Sequence, residues 1–97
     1  MAVNDKQKRY LRGLAHTLKP VVMVGNKGLT DTVLAEVDNA LNHHELIKVK
    51  VSGAEKADRL ELMNSIANTA SADLVTSIGH VAVFYRQAKE AKIKLPK

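Results

Sequence analysis

Apolar residues at helical spacing define the first element of the chain. They predict an amphipathic helix over residues 5–18 that is capped by Asn4 or Asp5 and ends before Pro20. The residues expected to face the core are Leu11, Leu14, Ala15 and Leu18. The unbroken apolar run over residues 21–24 then predicts a short, buried strand.

A second helix and a second strand follow. Helical spacing predicts a helix over residues 30–41, capped by Thr30 or Asp31, and residues 42–45 are expected to form a turn. Residues 46–51 alternate between apolar and polar side chains, which predicts a strand with one face in the core. The inward side chains are Ile47, Val49 and Val51, and the outward ones are Lys48 and Lys50.

The rest of the chain predicts one more helix and a closing hairpin. After a break at residues 52–53, a helix is expected over residues 55–69. Its inward residues are Leu60, Met63, Ile66, Ala67 and Ala70, and its outward residues are Glu55, Asp58, Arg59 and Glu61. Two β-branched runs at residues 74–78 and 81–86 predict a hairpin, because the Gly-His pair at residues 79–80 is typical of a type II′ turn.

The predicted order of elements is αβαβαββ, which indicates the α/β class. Strands that alternate with helices need crossover connections, so the early strands are expected to pair in parallel, whereas the closing hairpin is antiparallel. About four strands would then form a mixed sheet with helices on one or both faces. The length of 97 residues predicts a single domain over residues 1–97.

Composition limits the chemistry available to the chain. Hydrophobic residues make up 45% of it, enough for a core, but aromatic residues only 3%, so few side chains can stack on bases. Cysteine is absent, and no apolar run reaches the ~20 residues needed to span a bilayer. We therefore expect a cytoplasmic protein with no membrane partner.

Charge is segregated along the chain. The net charge of +5 divides into +5 for residues 1–28, −4 for residues 29–85 and +4 for residues 86–97. A merely soluble surface mixes both signs, so this distribution indicates a polyanionic partner and predicts one basic face if the fold joins the chain ends. The basic tail is expected to fray beyond Ile93.

The predicted junction between the first strand and the second helix is the loop Gly25, Asn26, Lys27 and Gly28. Its glycines permit positive φ and leave no Cβ to hold a phosphate backbone away, and free N–H groups at a helix N-terminus favour an anion. One interpretation is a loop that grips the backbone of a nucleic acid, with Lys27 pointing outward. The other is a tight turn that uses glycine for geometry alone.

The first predicted helix carries a second group of cations. Lys8 and Arg12 lie four residues apart on its polar side, flanked by Arg9 and Lys19. Like charges at this spacing repel each other. An anionic partner is one reason for such a pair, and a solvated helix face is the other.

Three separated motifs resemble the CRM domain family, and within it the stand-alone bacterial YhbY-type proteins. They are KxxLRxLAHxLKPVVxVGxKGLT at residues 8–30, HELIKVKV at residues 44–51 and IGHVAVFYR at residues 78–86. The resemblance implies the αβαβαββ fold, similar to the C-terminal domain of bacterial translation initiation factor three. It also implies RNA binding, since bacterial relatives associate with precursors of the large ribosomal subunit and plant organellar relatives act in group II intron splicing.

The resemblance extends to the residues that contact RNA. The family's GxxG loop corresponds to residues 25–28, its basic helix face to Lys8, Arg9 and Arg12, and its terminal YR to Arg86. A loop that clamps backbone has little sequence selectivity, because phosphates are the same at every nucleotide. We therefore expect a monomer that recognises structured, ribosomal RNA by shape and charge.

Other functions lack a supporting residue pattern. The histidines at positions 16, 43, 44 and 80 have no spacing typical of a metal site, and no cofactor or small-molecule substrate is predicted. No serine or carboxylate arrangement indicates catalysis, and Leu29 follows the second glycine where a P-loop needs lysine. Duplex DNA binding lacks a base-reading helix. The alternative left open is a protein-binding adaptor whose basic ends dock an acidic ribosome-associated partner.

Overall fold

A computed structural model describes residues 3–25, 27–52 and 55–97, and within them three helices and four strands follow the predicted order. The helices are α1 (Asp5–Ala15), α2 (Asp31–His44) and α3 (Lys56–Ala70), and the strands are β1 (Pro20–Val24), β2 (Leu46–Val51), β3 (Asp73–Ile78) and β4 (Val81–Tyr85). The predictions that concern Asn26 and Gly53 lie outside the described residues.

The four strands form one mixed sheet in the order β1-β2-β4-β3. β1 and β2 pair in parallel, because α2 makes the crossover between them, and β4 pairs antiparallel with both β2 and β3. In the hairpin turn φ is positive at Gly79 and not at His80, as a type II′ turn requires. The predicted α/β fold class and strand pairing are confirmed.

Helices cover both faces of the sheet. The face packed by α2 and α3, called here the α2–α3 face, contains Val22, Val24, Ile47, Val49, Val51, Ala82 and Phe84. The opposite face, called the α1 face, is packed by Leu11 and Ala15 of α1 against Leu46, Val75, Val83 and Tyr85. The alternation predicted for β2 is confirmed, since its odd-numbered residues from Ile47 to Val51 are buried on the α2–α3 face.

β1 is half-exposed, so the prediction of a buried strand holds for only one of its two faces. Val22 and Val24 face the core, but Val21 and Met23 are 52% and 60% exposed. β1 is an edge strand, and the α1 face beside it is not fully covered. A continuous apolar run therefore does not mean burial on both faces here.

α1 ends at Ala15, earlier than its apolar stripe predicts. His16 and Thr17 form a turn that leads the chain to Pro20, and Leu14 and Leu18 stay partly exposed. Together with Ile93, these two leucines line an open groove of about 480 Å³ instead of filling the core.

α2 and α3 also differ from prediction in detail. α2 continues through His44, so the predicted turn at residues 42–45 is reduced to Glu45, which has a φ of 62°. In α3, Leu60 is exposed and Arg59 is half-buried, the reverse of the prediction, because the packed stripe starts at Met63.

The C-terminal tail packs onto the protein, so the prediction that it frays beyond Ile93 is wrong. Ile93 and Leu95 pack against the core on the α1 face. The side-chain amide of Gln7 donates a hydrogen bond to the carbonyl of Pro96 at 3.0 Å. The tail is thereby fastened along α1.

The buried side chain of Glu45 holds the start of this tail. Its carboxylate accepts hydrogen bonds from the backbone N–H groups of Ala88, Lys92 and Ile93. Burial alone would raise the pKa of Glu45, but these three donors and the Lys92 ammonium lower it below its ordinary value. Glu45 is therefore ionised at neutral pH and acts as an anchor for the tail.

Candidate nucleic-acid interface

The loop after β1 is a closed glycine turn. The N–H of Gly28 donates to the carbonyl of Gly25 at 3.0 Å, and Gly28 has a φ of 69°, which favours glycine. Gly25 has no positive φ, and a Cβ added to it would meet no atom within 4 Å. The turn therefore favours glycine at position 28, whereas a side chain at position 25 would project into open space.

The end of β1 beside this loop is fixed to β2. Both the N–H and the hydroxyl of Ser52 donate to the carbonyl of Val24, at 3.0 and 3.1 Å. The loop thus leaves the sheet at the C-terminal ends of β1 and β2. A group held by the loop would therefore lie at this end of the sheet.

Lys27 is exposed, and no hydrogen bond or ion pair involves it within residues 3–25, 27–52 and 55–97. At the start of α2, the hydroxyl of Thr30 already accepts the N–H of Val33 at 3.1 Å, and Asp31 adds a negative charge to the first turn. The hydrogen-bonding capacity of the N–H groups at the N-terminus of α2 is therefore partly used within the protein. Lys27 supplies the positive charge of the loop.

The cations of α1 lie on the α1 face of the molecule. The helix is started by a capping box, in which the side chains of Asn4 and Gln7 bond each other's backbone N–H groups at 2.8 and 3.0 Å. Arg9 and Arg12 are exposed, and Lys8 is half-buried. Because residues advance by about 100° per position in an α-helix, Lys8 and Arg12 flank the buried stripe on the side away from Gln7 and the tail.

Arg86 serves the fold. Its guanidinium donates to the carboxylate and the carbonyl of Asp38 at 2.8 and 3.1 Å, to the carbonyl of Ala70 at 2.8 Å and to the side chain of Asn42 at 2.8 Å. These bonds join the end of β4 to α2 and the end of α3. Four of the five guanidinium N–H donors of Arg86 are thus engaged within the protein, which favours a structural role, and the RNA contact of Arg86 stays a prediction.

Arg86 and Lys19 also lie at the wrong end of the sheet for the loop. Tyr85 pairs with Leu46 at the start of β2, whereas Val24, which precedes the loop, pairs with Val51 at its end. Six residues of strand span ~20 Å. The predicted single basic face around the loop is thus only partly formed, since the loop and these two cations lie at opposite ends of the strands.

Two lysines that the sequence interpretation left out lie between α1 and the loop. Lys48 lines the same groove as Leu14 of α1, and Lys50 pairs with Met23, two residues before Gly25. Both are on the α1 face. Alternation along β2 places them outward, but only the strand register shows which helix and which loop they adjoin.

Acidic residues concentrate on the other side of the molecule. α2 and α3 carry the exposed acids Asp31, Glu36, Asp38, Asp58 and Glu61. Within the described part of the chain, no group of three or more His, Cys, Asp or Glu side chains could hold a metal ion. None of the described helices has the length and apolar character needed to cross a membrane.

Comparison with known proteins identifies the family. The CRS1 / YhbY (CRM) domain matches residues 3–86. The chain belongs to this family. An RNA-binding protein of Haemophilus influenzae is 55% identical over 95 residues, which cover 98% of this chain and 96% of the relative.

Two further relatives of this CRM domain extend the comparison. A probable RNA-binding protein of Bacillus subtilis is 38% identical over 97% of this chain and 99% of its own. The solution structure of a hypothetical protein from Staphylococcus aureus superposes with a TM-score of 0.87 at 36% identity, covering 98% of this chain and all of the other. The family resemblance deduced from the three sequence motifs is confirmed, and the matched region contains every helix and strand.

Proposed function

We propose that this CRM domain binds structured RNA through phosphate contacts from the loop at residues 25–28 and from the basic side of α1. The observation that carries the proposal is the exposed Lys27, which has no hydrogen-bond or ion-pair partner among the described residues and lies on a glycine turn whose first glycine leaves open space. Relatives along the whole chain are named RNA-binding proteins, which supports the choice of RNA over other polyanions.

The mechanism assigns different tasks to the predicted residues. Lys27 and the backbone around Gly25 approach phosphates, while Lys8, Arg9 and Arg12 contact phosphates further along the RNA. Asn26 remains a predicted loop contact, and Lys19 a peripheral one. Arg86 acts indirectly by holding β4 to α2. Phosphate contacts position an RNA without reading its sequence, so selectivity would come from RNA shape.

The proposal is tested by removing one charge at the loop. Lys27→Ala is compared with Lys56→Ala, an exposed lysine at the start of α3 on the acidic side. Affinity for a hairpin fragment of large-subunit ribosomal RNA is measured over a range of salt concentrations. We expect only Lys27→Ala to weaken binding and to reduce the slope of log K against log salt by about 0.7–0.9. Equal affinities for both variants and the wild type would remove the loop from the mechanism.

We further propose that the RNA belongs to a precursor of the large ribosomal subunit and that the protein acts on it in the cytoplasm as a monomer, without catalysis. Co-sedimentation of the tagged protein with ribosomal precursors, followed by crosslink mapping, tests this step.

The protein-binding adaptor is the competing function. Competition in the same RNA-binding assay, by heparin and by an acidic protein, distinguishes the two functions. An RNA-binding protein should retain structured RNA when the acidic protein is added, whereas an adaptor should not.

A further inference from the structure

Part of the α1 face beside the loop is open and carries a row of four side chains, one from each strand. The register places Met23 beside Lys50, Lys50 beside Val81, and Val81 beside Ile78. Met23 and Ile78 are 60% and 77% exposed, the two most exposed large apolar side chains among the described residues. A row of apolar side chains at both edges with a lysine inside it is therefore presented to solvent.

A second row lies behind the first. Lys48 pairs with Pro20 on one side and with Val83 on the other, and Thr76 pairs with Val83. Pro20, Lys48, Ile78, Val81 and Val83 line a shallow cavity of about 230 Å³. The eight positions of the two rows include two lysines and no acid, and neither lysine has a hydrogen-bond or ion-pair partner within the described residues.

This open face is continuous with the glycine loop. Met23 lies two residues before Gly25, which directly follows β1, a distance of ~7 Å along the extended chain. The hairpin turn lies at the same end of the strands as the loop, since Ile78 and Val81 flank this turn. An RNA whose phosphates are held by the loop can therefore extend over this face without leaving the protein.

We infer that the open face, consisting of Met23, Lys48, Lys50, Ile78 and Val81, binds unpaired nucleotides that adjoin the structured RNA held by the loop. This inference rests on the proposed function. Lysine ammonium groups attract phosphates, while apolar side chains offer contact to base rings, and methionine sulfur packs favourably on aromatic rings. Sheet surfaces that bind single strands combine these two contacts, here with aliphatic in place of aromatic side chains.

Charge favours RNA over an apolar protein partner as the occupant. Covering Lys48 and Lys50 with an apolar surface would remove two ammonium groups from water without pairing them, which is costly. Phosphates would pair both. Because aliphatic contacts tolerate any base, we expect the face to require unpaired nucleotides without requiring a particular sequence.

The test compares two RNAs, a blunt hairpin and the same hairpin with six unpaired nucleotides at either end. The wild-type protein is expected to bind the tailed RNA about tenfold more tightly. The double variant Met23→Ser/Ile78→Ser should lose this preference and keep the affinity for the blunt hairpin, and the single variant Lys50→Ala should also lose the preference. Leu60→Ser, a partly exposed leucine on α3, is the matched control and should behave as wild type.

The outcomes separate this inference from the proposed function. Binding of neither RNA overturns both, whereas equal binding of both RNAs by the wild type overturns only the inference. Variants that leave the preference intact, as they would if an acidic protein occupied the face, also overturn it. As a second measurement, 4-thiouridine in the tail should crosslink to the wild-type peptides that contain Met23 or Ile78, and crosslinks confined to α3 would contradict the placement.

Discussion

At the scale of single residues, three glycines with equally open surroundings but different backbone conformations and positions separate geometry from binding. Gly28 has a φ of 69°, Gly25 does not, and a Cβ added at Gly25, Gly28 or Gly13 would meet no atom within 4 Å. Gly28→Ala should lower the free energy of unfolding by about 1 kcal/mol through backbone strain. Gly25→Ala should leave stability nearly unchanged and weaken RNA binding, because its methyl group enters the ligand's space.

Gly13→Ala is the matched control for these variants. Gly13 is exposed in the last turn of α1, where alanine is expected to stabilise the helix by up to about 1 kcal/mol. Urea unfolding and RNA titration of all three variants give the result. If Gly25→Ala binds RNA as the wild type does, the open space beside this glycine has no role in binding.

The lowered pKa of Glu45 predicts how the free energy of unfolding depends on pH. Its folded-state pKa is lowered, so the stability it contributes is fully present above the unfolded glutamate pKa of about 4.3 and is lost as pH falls through the lowered pKa. Glu45→Gln should remove this contribution and reduce the free energy of unfolding at pH 7 by roughly 1–3 kcal/mol. Hydrogen exchange of the amides of Ala88, Lys92 and Ile93 should accelerate in the variant.

The difference in stability between wild type and Glu45→Gln is then measured between pH 7 and pH 2. It should shrink as the pH falls, because the wild-type carboxylate becomes protonated. A difference that stays constant over this range would mean that the charge of Glu45 does not hold the tail. Lys89→Ala, on an exposed part of the tail, serves as the control.

At the scale of elements, Arg86 joins the end of β4 to α2 and α3. Arg86→Ala leaves acceptors on Asp38, Asn42 and Ala70 without their donor, so the free energy of unfolding should fall by about 2–3 kcal/mol. Since Arg86 and the loop lie at opposite ends of the strands, RNA affinity measured well below the melting temperature should stay within about twofold of wild type. A loss of affinity without a loss of stability would restore Arg86 as a direct RNA contact.

The elements also show how far the sequence could be interpreted. Periodicity, apolar runs and turn residues predicted the seven elements of the described chain, and strand alternation placed Ile47, Val49 and Val51 correctly, because these patterns are local. The exposure of Met23 and Leu14 depends on which strand lies at the sheet edge and where α1 ends, and neither is a local property. The acceptors of Arg86 likewise come from residues distant in sequence, so its role in joining β4 to α2 and α3 could not be predicted from local patterns.

At the scale of the whole molecule, the arrangement of charge matters more than the net charge of +5. The cations of α1 and β2 share the α1 face, while the exposed acids of α2 and α3 lie on the opposite side. A charge removed from either side changes the net charge equally. If RNA docks on the α1 face, losing a cation on that side should weaken binding more than losing a cation on the acidic side.

Arg12→Gln and Lys56→Gln test this arrangement, because each removes one exposed cation from a helix, on opposite sides of the sheet. If the α1 face docks RNA, Arg12→Gln should weaken binding about three- to fivefold and reduce the salt slope by about 0.7–0.9, while Lys56→Gln changes neither. If RNA responds only to net charge, both variants should lose affinity equally through long-range attraction. Titrations of the two proteins at 50 and 200 mM salt, with urea unfolding to confirm equal stability, decide between these outcomes.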